Sequence, residues 1–314
     1  MARAILAALA LVVVAGMPAP RSLAPQVVGL SHIAVFVTDM GKARQFYEGM
    51  LGFEQQLMRR DGQGGPLLSL IKVNDGQWIE MIEAPGKGEG QLDHVALQVD
   101  DAAAMRELLA SRGVKVPPVS LEDPLGNRSF TLVDPDGHGL EFVEYRPGGL
   151  TAGDTGGHLP STRVSTHALH AGILVGDLDA SMAFYQGILG FTEFWRGSAA
   201  NSATLSWVNM RAPVGTDYLE LMLYDRLPAP DARGSAHHLC LLVPDMEKAL
   251  QVVQSRTALS GYSRPLAIRT GINRKRQLNL FDPDGTRVEL MEPDTVDGQP
   301  APSSVLPPPR RAGR

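Results

Sequence analysis

Four histidines and four glutamates recur at nearly constant spacing, and both are residue types that bind divalent metal ions. Each histidine opens an apolar run, is followed seven residues later by an aspartate, and is answered about fifty residues on by a glutamate held between two apolar residues. Each histidine and its glutamate lie in one quarter of the repeated part of the chain. Two quarters together would supply two imidazoles and two carboxylates, which suit a divalent first-row metal. The pairs are His32 and Glu80, His94 and Glu141, His170 and Glu220, and His238 and Glu289.

The secondary-structure elements that must position these residues are β-strands, and in each quarter a helix follows the first strand. Between residues 29 and 37 the alternation places His32, Ala34 and Phe36 on one strand face. Asp39 stands where a helix N-cap belongs, and Asn74-Asp75-Gly76 is typical of a hairpin turn between two further strands. The first quarter therefore predicts a β-α-β-β-β module.

The module recurs, which predicts the architecture. Residues 168–191 restate the start of the first quarter, and 236–292 restate the second, including the turn Asp282-Pro283-Asp284-Gly285 that matches Asp134-Pro135-Asp136-Gly137. One β-α-β-β-β unit cannot cover its own sheet, so we expect paired units to curl into incomplete barrels around a shared cleft. The predicted fold class is α+β, with four βαβββ modules in two domains.

The ends of the chain differ from the repeats. Residues 1–24 have a short positive lead, an apolar run and then small residues and prolines, which predicts a signal peptide and an exported, periplasmic or extracellular protein without stable membrane insertion. We expect domains at 29–146 and 167–292, a Gly/Thr-rich linker at 147–166, and a disordered proline-rich tail at 293–314.

Charge and cysteine content exclude several classes of function. A formal net charge of -5 argues against nucleic-acid binding, which needs a basic face. The single cysteine, Cys240, excludes an intrachain disulfide and a thiolate zinc site. The basic run Arg274-Lys275-Arg276 has no counterpart in the first half; it is either a solvated loop or a clamp for an anionic group of a small-molecule substrate.

With these motifs in place, the chain resembles the vicinal oxygen chelate superfamily, which includes glyoxalase I, extradiol dioxygenases and bleomycin-binding proteins. The resemblance rests on a histidine that opens the first strand, Phe-Tyr and Leu-Gly-Phe at the end of the helix, and Asp-Pro-Asp-Gly before the last glutamate. These motifs occur twice, over about 29–146 and 167–292. The resemblance implies two glyoxalase-like domains.

The resemblance also implies the metal ligands. The superfamily's four metal positions fall on His32, Glu80, His94 and Glu141 in the first half, and on His170, Glu220, His238 and Glu289 in the second. Glyoxalase I-like members fill all four positions, whereas extradiol enzymes keep two histidines and one glutamate and add a catalytic histidine and tyrosine. Here Thr131 and Asn279 stand where that tyrosine would be, so the ligand set is most like that of glyoxalase I.

Three functions follow from this resemblance. The leading hypothesis is a metal-dependent lyase or isomerase that chelates neighbouring oxygens and moves a proton through an enediolate or enolate, with Ni, Co, Zn, Mn or Fe as the metal. The base would be Glu141 or Glu289, or their partners Glu80 and Glu220. The alternatives are an Fe(II) or Mn(II) ring-cleaving or related dioxygenase, and a protein that sequesters a small molecule. The sequence leaves open whether each site forms within one half or between halves.

Overall fold

The computed structural model describes residues 24–87, 92–117, 122–229 and 232–310. The predicted signal peptide lies outside the described residues except for Ala24. No helix in the described ranges is long and apolar enough to cross a membrane.

The first half of the chain forms one mixed seven-stranded sheet. Its strand order is β2-β3-β4-β1-β5-β7-β6, so the first strand of each quarter lies in the middle, where β1 pairs antiparallel with β5. Two helices cover one face: α1 (Met40–Arg44), which continues as a π-helical turn over Gln45–Met50, and α2 (Ala102–Ser111). The strands are β1 (Val27–Val37), β2 (Glu54–Arg60), β3 (Pro66–Asn74), β4 (Gln77–Glu83), β5 (Leu92–Val99), β6 (Arg128–Val133) and β7 (Gly139–Glu144).

The second half repeats this plan as an eight-stranded sheet of order β13-β14-β15-β12-β8-β11-β10-β9. Its helices are α3 (Leu178–Tyr185) and α4 (Met246–Gln254). The strands are β8 (Ala168–Val175), β9 (Thr192–Gly197), β10 (Trp207–Arg211), β11 (Tyr218–Leu223), β12 (His238–Leu242), β13 (Arg269–Thr270), β14 (Lys275–Phe281) and β15 (Arg287–Thr295).

The α+β class and the tandem modular architecture are thereby confirmed. Three quarters have the predicted β-α-β-β-β order; in the described part of the second quarter, two strands and an isolated bridge at Glu122 follow the helix. Quarters pair within each half, which answers the question that the sequence left open. The sequence pattern is the same whether quarters pair within one half or between halves, so it does not distinguish the two arrangements.

The constant His-to-Asp spacing has a local cause. Asp39 and Asp101 cap the helices after β1 and β5, where their carboxylates accept the backbone N–H groups of Lys42 and Ala104. Asp177 and Asp245 do the same for α3 and α4. In each quarter the aspartate cap therefore fixes how far the histidine lies from the end of its central strand.

The Asp-Pro-Asp-Gly turns join the two halves. The phenol of Tyr185, in α3, donates to Asp134 at 2.9 Å, and the phenol of Tyr47 donates to Asp282 at 3.2 Å. One continuous apolar core includes buried residues of both halves. The turns thus have a structural role, and the Phe-Tyr pairs belong to the packing between halves.

The tail differs from the prediction of disorder. Strand β15 continues to Thr295, and beyond it the Pro302 carbonyl accepts the indole N–H of Trp195 at 3.3 Å. The backbone N–H of Ser304 donates to Arg196 in β9 at 2.9 Å. An extended segment can use the unpaired backbone groups of an edge strand, and this explains the order of a proline-rich sequence.

Candidate metal centre

The four predicted ligands of the first half come from four adjacent strands. His32 lies on β1, Glu80 on β4, His94 on β5 and Glu141 on β7, and these strands are consecutive in the sheet. Ala34 is paired with both Glu80 and His94, so the four side chains start from nearly the same level of the sheet. Alternation along each strand then directs them to the face opposite the helices.

The side chains converge as predicted. The Nε2 atoms of His32 and His94 lie 3.0 Å apart, and Glu141 Oε2 lies 3.2 Å from the first and 3.3 Å from the second. Glu80 Oε2 is 3.4 Å from His32 Nε2. His32, His94 and Glu141 each offer one donor atom within a common 4.8 Å, which is consistent with binding of a divalent ion.

Neighbouring groups orient both imidazoles for metal binding. Asp93 Oδ2 lies 2.7 Å from His94 Nδ1 and accepts its proton, so Nε2 is the nitrogen directed into the cluster, where a metal ion would displace any proton that it carries. His32 Nδ1 lies 2.9 Å from Ser31 Oγ, and that hydroxyl is hydrogen-bonded to the phenol of Tyr145. None of these three supporting residues was predicted from the sequence, although an acidic residue directly before His94 was an available signal.

The electrostatics of the first cluster favour a cation. Burial lowers the pKa of His94, but hydrogen bonds with Asp93 and Glu141 outweigh it and raise that pKa to about 10. Burial is likewise outweighed at Glu141, where the two histidines hold the carboxyl pKa well below its usual range. Burial raises the pKa of Glu80. The cluster therefore stabilises positive charge among its carboxylates, and the residues present fit a divalent ion.

A cavity of about 150 Å³ opens onto this cluster. Trp78, Leu68 and Val143 contribute apolar walls, and Arg59 and Tyr145 contribute polar groups. Residues of the predicted linker also reach the cavity, through Thr151. A mostly apolar cavity with a few converging polar groups is typical of a small-molecule site.

Replacing Asp93 with asparagine is expected to weaken divalent-metal binding by about 10–100-fold, since the amide no longer holds the Nδ1–H tautomer of His94 as strongly. Competition with a chromophoric chelator measures the change. Asp100→Asn is the matched control, because Asp100 lies exposed just beyond the same strand and accepts a backbone N–H from Gln26. Equal affinities for the two variants would contradict the orienting role of Asp93.

The second half brings together its own His/Glu cluster. The Nε2 atoms of His170 and His238 also lie 3.0 Å apart, and Glu220 supplies a third donor within 4.8 Å. Glu289 Oε2 is 3.5 Å from His238 Nε2. In donor type and spacing both clusters are thus consistent with divalent-metal binding.

The surroundings of the second cluster have the opposite electrostatic effect. Burial, followed by the positive charge of Arg287, lowers the pKa of His170 and of His238 well below the usual value. Burial raises the pKa of Glu220 to about 8 and that of Glu289 to about 7. The second cluster therefore favours neutral side chains.

The basic run, for which the sequence left open a solvated loop or an anion clamp, forms ion pairs with nearby carboxylates. Arg274 pairs with Asp297, and Arg276 pairs with Glu292 at 2.6 Å. Cys240 is buried and free, in agreement with a role in the core.

Comparison with known proteins agrees with the tandem arrangement. The family model "Glyoxalase/Bleomycin resistance protein/Dioxygenase superfamily" matches residues 29–142 and again 167–290. The uncharacterized protein YwkD of Bacillus subtilis (strain 168) is 32% identical over 124 residues, which are 37% of this chain and 95% of that protein. A protein of that kind therefore corresponds to a single half.

Solved structures of two kinds share the whole fold. The 2,3-dioxygenase LapB from Pseudomonas sp. KL28 matches with a TM-score of 0.66 and 18% identity, over 88% of this chain and 96% of that one. The Mn(II)-bound glyoxalase from Novosphingobium aromaticivorans matches with a TM-score of 0.62 and 17% identity, over 85% and 83%. Further similar structures are an extradiol ring-cleaving dioxygenase and several variants of homoprotocatechuate 2,3-dioxygenase, all from Brevibacterium fuscum.

Proposed function

Because the chain belongs to the Glyoxalase/Bleomycin resistance protein/Dioxygenase superfamily, we propose that its first half is a divalent-metal enzyme acting on a small molecule with two neighbouring oxygen atoms. The observation that carries the proposal is the convergence of His32, His94 and Glu141 at the end of a cavity. A divalent ion held by these residues would act as a Lewis acid and orient the substrate oxygens.

Of the two reaction classes, a ring-cleaving or related dioxygenase is now better supported than the lyase or isomerase that the sequence favoured. Two histidines and one carboxylate form the ligand set of non-haem Fe(II) oxygenases, and the tight donor cluster has this composition. Tyr145 places a phenol at the cavity although Thr131 occupies the expected position. Burial raises the pKa of Tyr145, so the phenol stays protonated and can donate a hydrogen bond.

The lyase or isomerase remains the second candidate because of Glu80. Its carboxylate lies beside His32 but is absent from the three-donor group of closest spacing. Burial raises the pKa of this carboxyl group, and if it stays free of the metal it is suited to accept a proton from a carbon next to a carbonyl. Four potential ligands, as in glyoxalase I-like members, would also allow Ni, Co or Zn in place of Fe or Mn.

Arg59 supports an anionic substrate. Its guanidinium lines the cavity from β2, and within the described ranges no side chain or backbone group is hydrogen-bonded or ion-paired with it. An unpaired, half-buried guanidinium beside apolar walls is a ready partner for a carboxylate or a similar group. In this proposal Arg59, and not the basic run Arg274-Lys275-Arg276, binds the anionic group of the substrate.

Oxygen uptake separates the two reaction classes. We expect metal-stripped protein reloaded anaerobically with Fe(II) or Mn(II) to consume oxygen with catechols, and a carboxylate-bearing catechol to have a KM about tenfold or more below that of its neutral analogue, because a charge-assisted hydrogen bond is worth about 1.5–3 kcal/mol. Exchange of a substrate C–H proton with deuterated water, without oxygen uptake, would instead identify the isomerase. Metal binding without either reaction would leave the sequestering protein.

Export of the enzyme is part of the proposal and rests on the leader-like composition of residues 1–24. An exported enzyme would not meet glutathione adducts or acyl-CoA thioesters, so its substrate would be an extracellular or periplasmic small molecule. The mass of the protein recovered from the periplasm or medium checks this proposal, since loss of the leader must shorten the chain.

A further inference from the structure

One position differs in kind between the two clusters. In the first half, His94 on β5 is paired with Gly139 on the parallel strand β7. In the second half, His238 on β12 is paired at the equivalent position with Arg287 on β15. A glycine therefore adjoins the metal-site histidine in one half, whereas a permanent cation adjoins it in the other.

The guanidinium of Arg287 contacts the histidine directly. Its Nη2 lies 2.5 Å from His238 Nδ1 and 3.5 Å from the carbonyl oxygen of Ala236. The Ala236 carbonyl oxygen also lies 3.2 Å from His238 Nδ1, but the guanidinium contact is much shorter. A guanidinium can only donate, so in this shorter contact His238 Nδ1 accepts and the ring proton is on Nε2. In the first half the order is reversed, since His94 Nδ1 donates to Asp93 and leaves Nε2 as the nitrogen that a metal ion would bind.

The residue paired with His238 on the neighbouring strand β8 is Gly172, which has no side chain. A Cβ atom on Gly172 would lie only 2.0 Å from Cε1 of the His238 ring, so the ring occupies space that a side chain would need. The corresponding neighbour of His94 is Ala34, which has a Cβ. The His238 ring thus lies against a glycine, where Arg287 reaches its Nδ1.

We propose that the second cluster is not a metal centre, and that Arg287 is a built-in cation which takes the place of the ion. The inference rests on the proposed function only in assigning the single ion to the first half. An ion at the second cluster would meet the Nε2–H of His238 instead of a lone pair, and a second positive charge in a buried site.

Metal stoichiometry tests the inference. Full-length protein stripped of metal and titrated with Co(II) is expected to bind one ion per chain, whereas Arg287→Gly, which restores the residue found at position 139, is expected to bind two. His94→Ala should bind none and His238→Ala should still bind one. The cobalt visible spectrum and elemental analysis after gel filtration both count the bound ions.

Several outcomes would overturn the inference. Two ions bound by the wild-type chain, or an ion lost from His238→Ala but not from His94→Ala, would each do so. Arg287→Met, whose side chain is neutral and of similar size, is the control in case the glycine variant misfolds. If both variants keep the first ion and bind no second ion, the role of Arg287 is refuted. A wild-type chain without metal whose Arg287→Gly variant gains one ion would sink the proposed function while supporting this inference.

Discussion

Replacing Glu141 with alanine is expected to abolish both metal binding and turnover. Glu141 is the carboxylate that contacts both histidine Nε2 atoms of the first cluster, at 3.2 and 3.3 Å. Without Glu141, two imidazoles and the more distant Glu80 remain. A divalent ion would then lack the carboxylate that lies between the two histidines. We expect bound metal to fall from near one equivalent to near zero, and turnover to fall by a factor on the order of 10³ or more.

Glu144→Ala is the matched control for Glu141→Ala. Glu144 lies on the same strand and is also half-buried, but its carboxylate pairs with Arg146 and accepts the Ala102 backbone N–H outside the cluster. Its removal should lower stability modestly and leave the metal in place. Elemental analysis and oxygen uptake on the same preparations give the comparison; full metal content in Glu141→Ala would refute the assigned centre.

The conservative variant Glu80→Gln separates a proton-transfer role from a ligand role. An amide cannot accept the substrate proton, so an isomerase would lose about 10²–10⁴ of its rate while its metal stayed bound. A dioxygenase that relies on His32, His94 and Glu141 should keep most of its oxygen uptake. Dissociation of the metal from this variant would instead make Glu80 a fourth ligand.

The first cluster was predictable because its residues follow local rules. Strand alternation determines the sheet face on which His32 lies, and the aspartate cap determines its distance from the helix. Because the module repeats, the same two constraints apply to His94. Each of these constraints acts within one quarter of the chain. The convergence of the side chains then needed only one further fact, the pairing of quarters, which depends on contacts between distant residues.

The groups that distinguish the two clusters were harder to find for a physical reason. Arg59 reaches the cavity from β2, which carries no predicted ligand, and Tyr145 reaches it from the residue directly after β7. No spacing rule of the repeats connects either residue with the histidines. Arg287 was visible as a difference from Gly139 two residues before the last glutamate of each half. Its meaning required the parallel register of β12 and β15, which places it beside His238.

Replacing Asp134 with alanine is expected to lower the free energy of unfolding by about 3–5 kcal/mol, because it leaves several buried donors without an acceptor. The carboxylate, fully buried, accepts the phenol of Tyr185 at 2.9 Å across the junction of the halves, and the Nδ1–H of His138 at 2.9 Å. It also accepts the backbone N–H groups of Asp136 and His138. Urea denaturation measures the loss.

The cost of Asp134→Ala should depend on pH with a defined sign. Burial raises the pKa of Asp134, but the hydrogen bonds and charge of His138 outweigh it and hold that pKa below its ordinary value of 3.8. A depressed folded-state pKa adds stability that is present above the unfolded-state value and is lost as the pH falls through the folded-state value. The difference between wild type and variant should therefore be largest near neutral pH and shrink below about pH 4.

Asp282→Ala provides the contrast within the same molecule. Asp282 holds the equivalent turn and accepts the phenol of Tyr47, but burial raises its pKa to about 6. Thr286 stands at the position of His138 and donates its backbone N–H to Asp282, but it offers no imidazole. Because the folded state binds this proton more tightly, the contribution of Asp282 declines as the pH rises from about 4 to 6 and is then constant. At pH 7 Asp282→Ala should lower the free energy of unfolding less than Asp134→Ala does. Equal losses at pH 7 would show that the His138–Asp134 pair does not stabilise the junction. A loss for Asp134→Ala that is the same at pH 7 and pH 3.5 would show this as well.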